Sequence, residues 1–145
     1  GPGMLMKYQP LKDSLDSIKS EQLQQQKQSK VVIYLSPQGK RLQQEDLKQL
    51  AEKEHLIFIC GRYEGIDERL IQQEVDEEYS IGDYVLSGGE LAAMILIDGM
   101  TRLLPGAVGD NESVVNDSFY DNLSDNYQKI NPNLSEISLF KYYLQ

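Results

Sequence analysis

The chain has 145 residues, enough for one domain with at most a small appendage. Its balance of 40% hydrophobic and 26% charged residues suits a soluble globular protein, no apolar run approaches a membrane span, and no signal peptide precedes the first element, so a cytoplasmic protein without membrane partners is expected. A net charge of −9 with only 14 Lys plus Arg argues against a broadly basic nucleic-acid-binding face and leaves room only for a local basic patch.

Gly1-Pro2-Gly3-Met4-Leu5-Met6 reads as a turn leading out of another element. Leu11, Leu15 and Ile18 recur at helical spacing and predict a helix from Pro10 to Ile18; the Gln-rich stretch from Ser20 to Lys30 reads as helix end and loop. Val31 to Leu35 is the first strand. Gln43 to Lys53 is a helix that turns Leu47 and Leu50 inward. Leu56 to Cys60 is a short continuous apolar run, as expected of a strand covered on both faces. Asp67 to Glu74 is a short helix with Ile66, Leu70 and Ile71 inward, and Tyr79 to Leu86 is the third strand region. Gly89 to Leu104 is a helix stopped by Pro105-Gly106 and apolar on most faces, hence buried, in part against a second chain. Strand and helix alternate, so the expected architecture is α/β with a mainly parallel sheet. Residues 108–121 read as a polar, mobile linker, and Leu123 to Leu144 as two short helices interrupted near Pro132. Cys60 is the only cysteine and His55 the only histidine. The sequence indicates no Cys–His or Ser–His pairing for nucleophilic chemistry and no metal-ligand cluster. Cys60 reads as a small buried hydrophobe, and His55 as structural or surface.

Three strand ends share one grammar. Tyr34-Leu35-Ser36-Pro37-Gln38-Gly39, Cys60-Gly61-Arg62-Tyr63-Glu64-Gly65 and Ile81-Gly82-Asp83-Tyr84-Val85-Leu86-Ser87-Gly88-Gly89 each lead a strand into a Gly- or Pro-bearing turn. Glycine permits positive φ and lets another molecule approach the backbone. Three such junctions predict one ligand site at the carboxyl edge of a parallel sheet. There is no Walker loop and no G-x-G-x-x-G. Backbone groups with Tyr34, Tyr63 and Tyr84 nearby suit an adenosine-type cofactor. Arg62, Arg102, Glu64, Asp83 and Asp117 are the polar groups available for chemistry; the bland reading of each is a surface ion pair.

The same three stretches, the second extended through Ile66-Asp67-Glu68-Arg69 and the third through Glu90, together with the opening Gly-Pro-Gly-Met-Leu-Met, resemble the signature motifs of the bacterial tRNA (guanine-N1)-methyltransferase TrmD family, from Gly1 to about Tyr120. The resemblance implies a SPOUT-type α/β domain with a deep trefoil knot over 1–107, a linker over 108–121 and a remnant of a helical tRNA-binding domain over 122–145. It implies S-adenosyl-L-methionine bound in a bent shape, an obligate homodimer, and methylation of N1 of guanosine 37, 3′ of the anticodon, in a tRNA anticodon stem-loop. The implied cofactor residues are Tyr34, Leu35, Ser36, Pro37, Gly61, Tyr63, Glu64, Ile81, Gly82, Asp83, Tyr84, Val85, Leu86, Gly88 and Gly89. Asp117 stands where the family carries its general base, and Arg102 matches the family arginine on the long helix. Family members also carry an upstream strand and substrate-binding segment and a longer, basic C-terminal domain, and Ala92 replaces a usual proline. The alternatives are a related SPOUT methyltransferase acting on another base or a ribose, which needs no carboxylate base, and a catalytically incomplete cofactor-binding module.

Overall fold

The computed structural model describes residues 3–24, 30–107 and 136–140. Its elements are α1 (Tyr8–Gln24), β1 (Lys30–Arg41), α2 (Gln44–Ala51), β2 (His55–Ile59), α3 (Glu68–Glu74), β3 (Glu77–Ser80), α4 (Glu90–Thr101) and β4 (Glu136–Phe140). The strands lie in the order β3-β1-β2-β4, and every pairing is parallel.

The apolar run of β2 explains its place inside the sheet. All five residues are buried. Successive side chains point to opposite faces, so Ile57 and Ile59 meet Leu11, Leu15 and Leu70 of α1 and α3, while Leu56 and Phe58 meet Leu47, Leu50, Leu96 and Met100 of α2 and α4. Helices on both faces are what a parallel sheet requires, and an alternating polar pattern would expose one of them.

Local signals set the helix ends. Pro10 falls in the first turn of α1, where its missing N–H costs nothing. The helix continues past Ile18 and ends at Gln24, within the stretch read as helix end and loop, because Glu, Leu and Gln are good helix formers. Asp46, in the first turn of α2, accepts from the Gln43 backbone N–H at 2.9 Å and from Lys40 Nζ at 2.6 Å, which satisfies a buried carboxylate. Asp67 caps α3 by accepting from the Arg69 N–H at 3.0 Å.

Three expectations change. The first strand does not stop at Leu35. It detours and resumes, so Tyr79 of β3 pairs with both Leu35 and Lys40. The intervening residues, Ser36 to Gly39, form a bulge. A Cβ on Gly39 would come within 2.6 Å of the Tyr79 backbone, and only glycine lets the strands approach there. The third strand ends at Ser80, not Leu86. The Ser80 hydroxyl donates to the Gly82 carbonyl and accepts from its N–H, closing a turn that diverts the chain from the sheet edge. Residues 136–140 pair with β2 as a strand where a helix was expected; Ile137, Leu139 and their neighbours fit either period in so short a run. The rest of that expected helical pair, and the linker, lie outside the described residues.

Candidate active site

A cavity of about 650 Å³ opens at the bulge of β1 and the carboxyl ends of β2 and β3. Its wall brings together Tyr34, Leu35, Ser36, Pro37, Gly61, Tyr63, Glu64, Ile81, Gly82, Tyr84, Val85, Leu86, Gly88 and Gly89, fourteen of the fifteen residues expected to hold a cofactor. Asp83 stands apart: its side chain is 87% exposed and pairs with Arg41 at 2.7 Å.

The second and third junctions are joined directly. Gly89 N–H donates to the Gly61 carbonyl at 2.9 Å, and Arg62 pairs with Gly88 in an isolated antiparallel bridge. A Cβ on Gly89 would lie 3.0 Å from Cys60 Cα and 3.2 Å from Gly61 N, so the start of α4 lies backbone to backbone on the end of β2. Arg62 Nε and Nη2 both donate to Glu90 Oε1, at 3.1 and 2.9 Å.

The turn through 62–65 has left-handed φ at Tyr63 (60°) and Gly65 (127°). Glycine adopts this freely; for Tyr63 it is strain of about 1–3 kcal/mol, of the kind stored at binding sites. Its ring, about half exposed, stands at the cavity wall. Tyr34 lies beneath, 5% exposed, and its ring would be 3.1 Å from a Cβ at Gly61. Burial, and then the nearby Glu78 carboxylate, push the Tyr34 phenol above its ordinary range. It therefore serves as a neutral packing and hydrogen-bonding group. Glu78 accepts from the Ser36 hydroxyl across the β1–β3 seam.

Part of the wall was not expected. The opening segment runs beside 64–67 as a single parallel bridge, Met6 to Ile66: Met6 N–H donates to Gly65 O at 3.0 Å and Asp67 N–H to Met6 O at 3.2 Å. Gly3 N–H reaches Glu64 Oε1 at 2.8 Å, and Leu5 lines the cavity. In the sequence, only the apolar Met-Leu-Met triplet hinted at this. The acids at 74–78 also have partners within the chain. Asp76 accepts from Val32 N–H at 2.7 Å, Tyr79 donates to Glu77 at 2.7 Å, and Glu74 binds Lys12 and Lys19.

Arg102 is not at this cavity. It caps the far end of α4, whose 12 residues span about 18 Å. Asp117 lies outside the described residues. Within this chain only one face of α4 is buried: Ala92, Ala93, Leu96 and Met100 face inward, while Leu91, Met94 and Ile95 are 59%, 59% and 49% exposed. Among the described residues, no helix is long and apolar enough to cross a membrane.

Residues 1–136 match the family model described as tRNA (Guanine-1)-methyltransferase TrmD. Proteins named tRNA (guanine-N(1)-)-methyltransferase from Shewanella sp. (strain ANA-3), Pseudomonas putida (strain W619) and Pseudomonas entomophila (strain L48) are 58%, 62% and 61% identical over 125 residues. That stretch is 86% of this chain but 49%, 48% and 48% of those relatives, so the chain spans about half the length of the curated relatives it matches.

Proposed function

The chain belongs to the tRNA (Guanine-1)-methyltransferase TrmD family, and we propose that it carries the cofactor-holding part of an enzyme that methylates N1 of guanosine 37 in tRNA with S-adenosyl-L-methionine. The observation that carries the reading is the cavity: a volume of about 650 Å³ is within the range of cofactor pockets, and its wall combines glycine backbone, aliphatic side chains and four tyrosines with Arg62, Glu64, Glu68 and Glu78. A Cβ at Gly61 or Gly89 would press on Tyr34 or on the Cys60 backbone, so glycine is what lets these segments pack together to form the wall. These residues fit an adenosine-type ligand, with Tyr34, Gly61, Ile81, Gly82, Tyr84, Leu86 and Gly89 holding it. When bound, S-adenosyl-L-methionine supplies an electrophilic sulfonium methyl.

The remaining groups act on the guanine. N1 is a poor nucleophile until its proton leaves, and the Asp117 carboxylate accepts that proton. Negative charge then grows on O6, and the Arg102 guanidinium stabilises it. Both groups come from a second copy of this chain. Support for this is the length of α4, which separates Arg102 from its own cavity, and the apolar face of Leu91, Met94 and Ile95, which a partner helix would cover. Membership of the family supports a SPOUT-type knot, with 1–107 as the cofactor domain, 108–121 as the linker and 122–145 as part of a tRNA-binding segment. Such an enzyme works in the cytoplasm on the anticodon stem-loop.

The test is single-turnover methyl transfer at saturating tRNA. Asp117→Asn should slow it by about 10²–10⁴-fold, the value of a positioned base, while cofactor affinity stays unchanged. Mixing Asp117→Asn with Gly61→Val chains should restore one working site per dimer. An unchanged rate in Asp117→Asn would remove the base from the reading, and no cofactor binding by the wild type would remove the cavity.

A further inference from the structure

We propose that Glu90 is a positioning residue, whose carboxylate fastens Arg62 and so locks the second and third junctions into one rigid wall of the cofactor cavity; this rests on the reading of that cavity as the cofactor site. Glu90 does not line the cavity, whereas Arg62 does. The Glu90 side chain is 19% exposed and that of Arg62 40%, so the pair sits partly out of water, where a charge-assisted bond is stronger than at an open surface. Oε1 takes both Arg62 bonds. Oε2 lies over the other junction, 2.3 Å from where a Cβ on Gly88 would be, so a side chain there would displace the carboxylate. One acid thus touches a side chain from the end of β2 and the backbone entering α4, 28 residues later. The same two segments are held by the bridge between Arg62 and Gly88 and by Gly89 N–H on Gly61 O at 2.9 Å. Main-chain bonds set the register, and the ion pair stops the two turns from shearing. Without it, the glycines that make the wall approachable would also make it loose, and a ligand would bear the cost of ordering it.

A purely structural alternative exists, because an acid in the first turn of α4 also favours the helix dipole. That role would change stability and leave ligand affinity alone. The experiment is calorimetric titration of S-adenosyl-L-methionine into the wild type, Glu90→Gln, Glu90→Ala, Arg62→Ala and the double alanine variant, with amide hydrogen exchange at Gly89. Glu90→Ala should weaken binding by about 10- to 100-fold, as loss of a charge-assisted hydrogen bond does. Glu90→Gln, which keeps an acceptor but no charge, should weaken it by about 3- to 10-fold and carries the comparison if the alanine variant does not fold. The double variant should bind no more weakly than Arg62→Ala alone, because both changes break one link. Gly89 N–H should exchange at least about tenfold faster in Glu90→Ala or Glu90→Gln. Wild-type affinity in the folded Glu90 variants, or losses that simply add in the double, would overturn the proposal. If the wild type itself binds no cofactor, the cofactor reading fails, and the exchange rate at Gly89 alone decides whether Glu90 holds the wall.

Discussion

Replacing Gly89 by alanine tests the junction of β2 and α4 most directly. The new Cβ would lie 3.0 Å from Cys60 Cα and 3.2 Å from Gly61 N. Carbon contacts settle at roughly 3.5–4.0 Å, so the two backbones must part by about 0.5 Å. Neither neighbour is a side chain that can rotate away. Overpacking of this kind costs about 1–3 kcal/mol, and the 2.9 Å bond from Gly89 N–H to Gly61 O weakens with it, for about 1 kcal/mol more. The sum of about 2–4 kcal/mol should lower the melting temperature by about 5–15 °C in a chain of this size. Gly99→Ala is the control. Its Cβ would meet Leu47 Cδ1 at 2.7 Å, but that is the end of a flexible side chain, and alanine gains about 1 kcal/mol of helix propensity over glycine. It should stay within about 1 kcal/mol of wild type. Calorimetric or circular-dichroism melts decide. A Gly89→Ala transition within about 2 °C of wild type, or no lower than that of Gly99→Ala, would refute the close backbone contact on which the account of the cavity wall depends.

Two further outcomes follow from the packing. Ile95→Asp places a charge in the exposed stripe with Leu91 and Met94 and should convert a dimer into a folded monomer at micromolar concentration with little change in monomer stability, as sedimentation would report; a wild type that is monomeric at high micromolar concentration would contradict the α4 interface. Glu74, 9% exposed, would be pushed up by burial, but hydrogen bonds from Lys19 and from Lys12 (2.9 Å) outweigh this and hold its carboxyl below the usual range. Its stabilisation is therefore complete above an unfolded-state pKa of about 4.3 and fades as pH falls through the lower folded value. Glu74→Gln should lower the melting temperature by about 3–6 °C at pH 7, corresponding to about 1–2 kcal/mol, with the difference vanishing at strongly acidic pH; a pH-independent difference would rule out the ion pairs as its origin.

The elements that could be read from sequence are those whose own pattern requires one environment. Leu56 to Cys60 is apolar at every position, which suits only a strand covered on both faces. The glycines at 61, 65, 82, 88 and 89 mark places where the backbone turns or is approached, and these converge on one cavity. Other features depended on partners distant in the chain. The detour of β1 between Leu35 and Lys40 is defined by Tyr79, and the early end of β3 by the turn at Ser80 and Gly82, neither of which has a local periodicity. Asp83 matched the same motif as Tyr84, but only the turn decided that one faces Arg41 and the other the cavity. The sequence marked the Gly89 to Leu104 helix as apolar on most faces and buried in part against a second chain, but a single sequence records hydrophobicity and not which residues face the sheet. The tertiary structure shows that the sheet covers only one side of α4. Arg102 and Glu90 are the same kind of case: both lie on one helix, and only its length and packing put Glu90 beside the cavity and Arg102 at the opposite end.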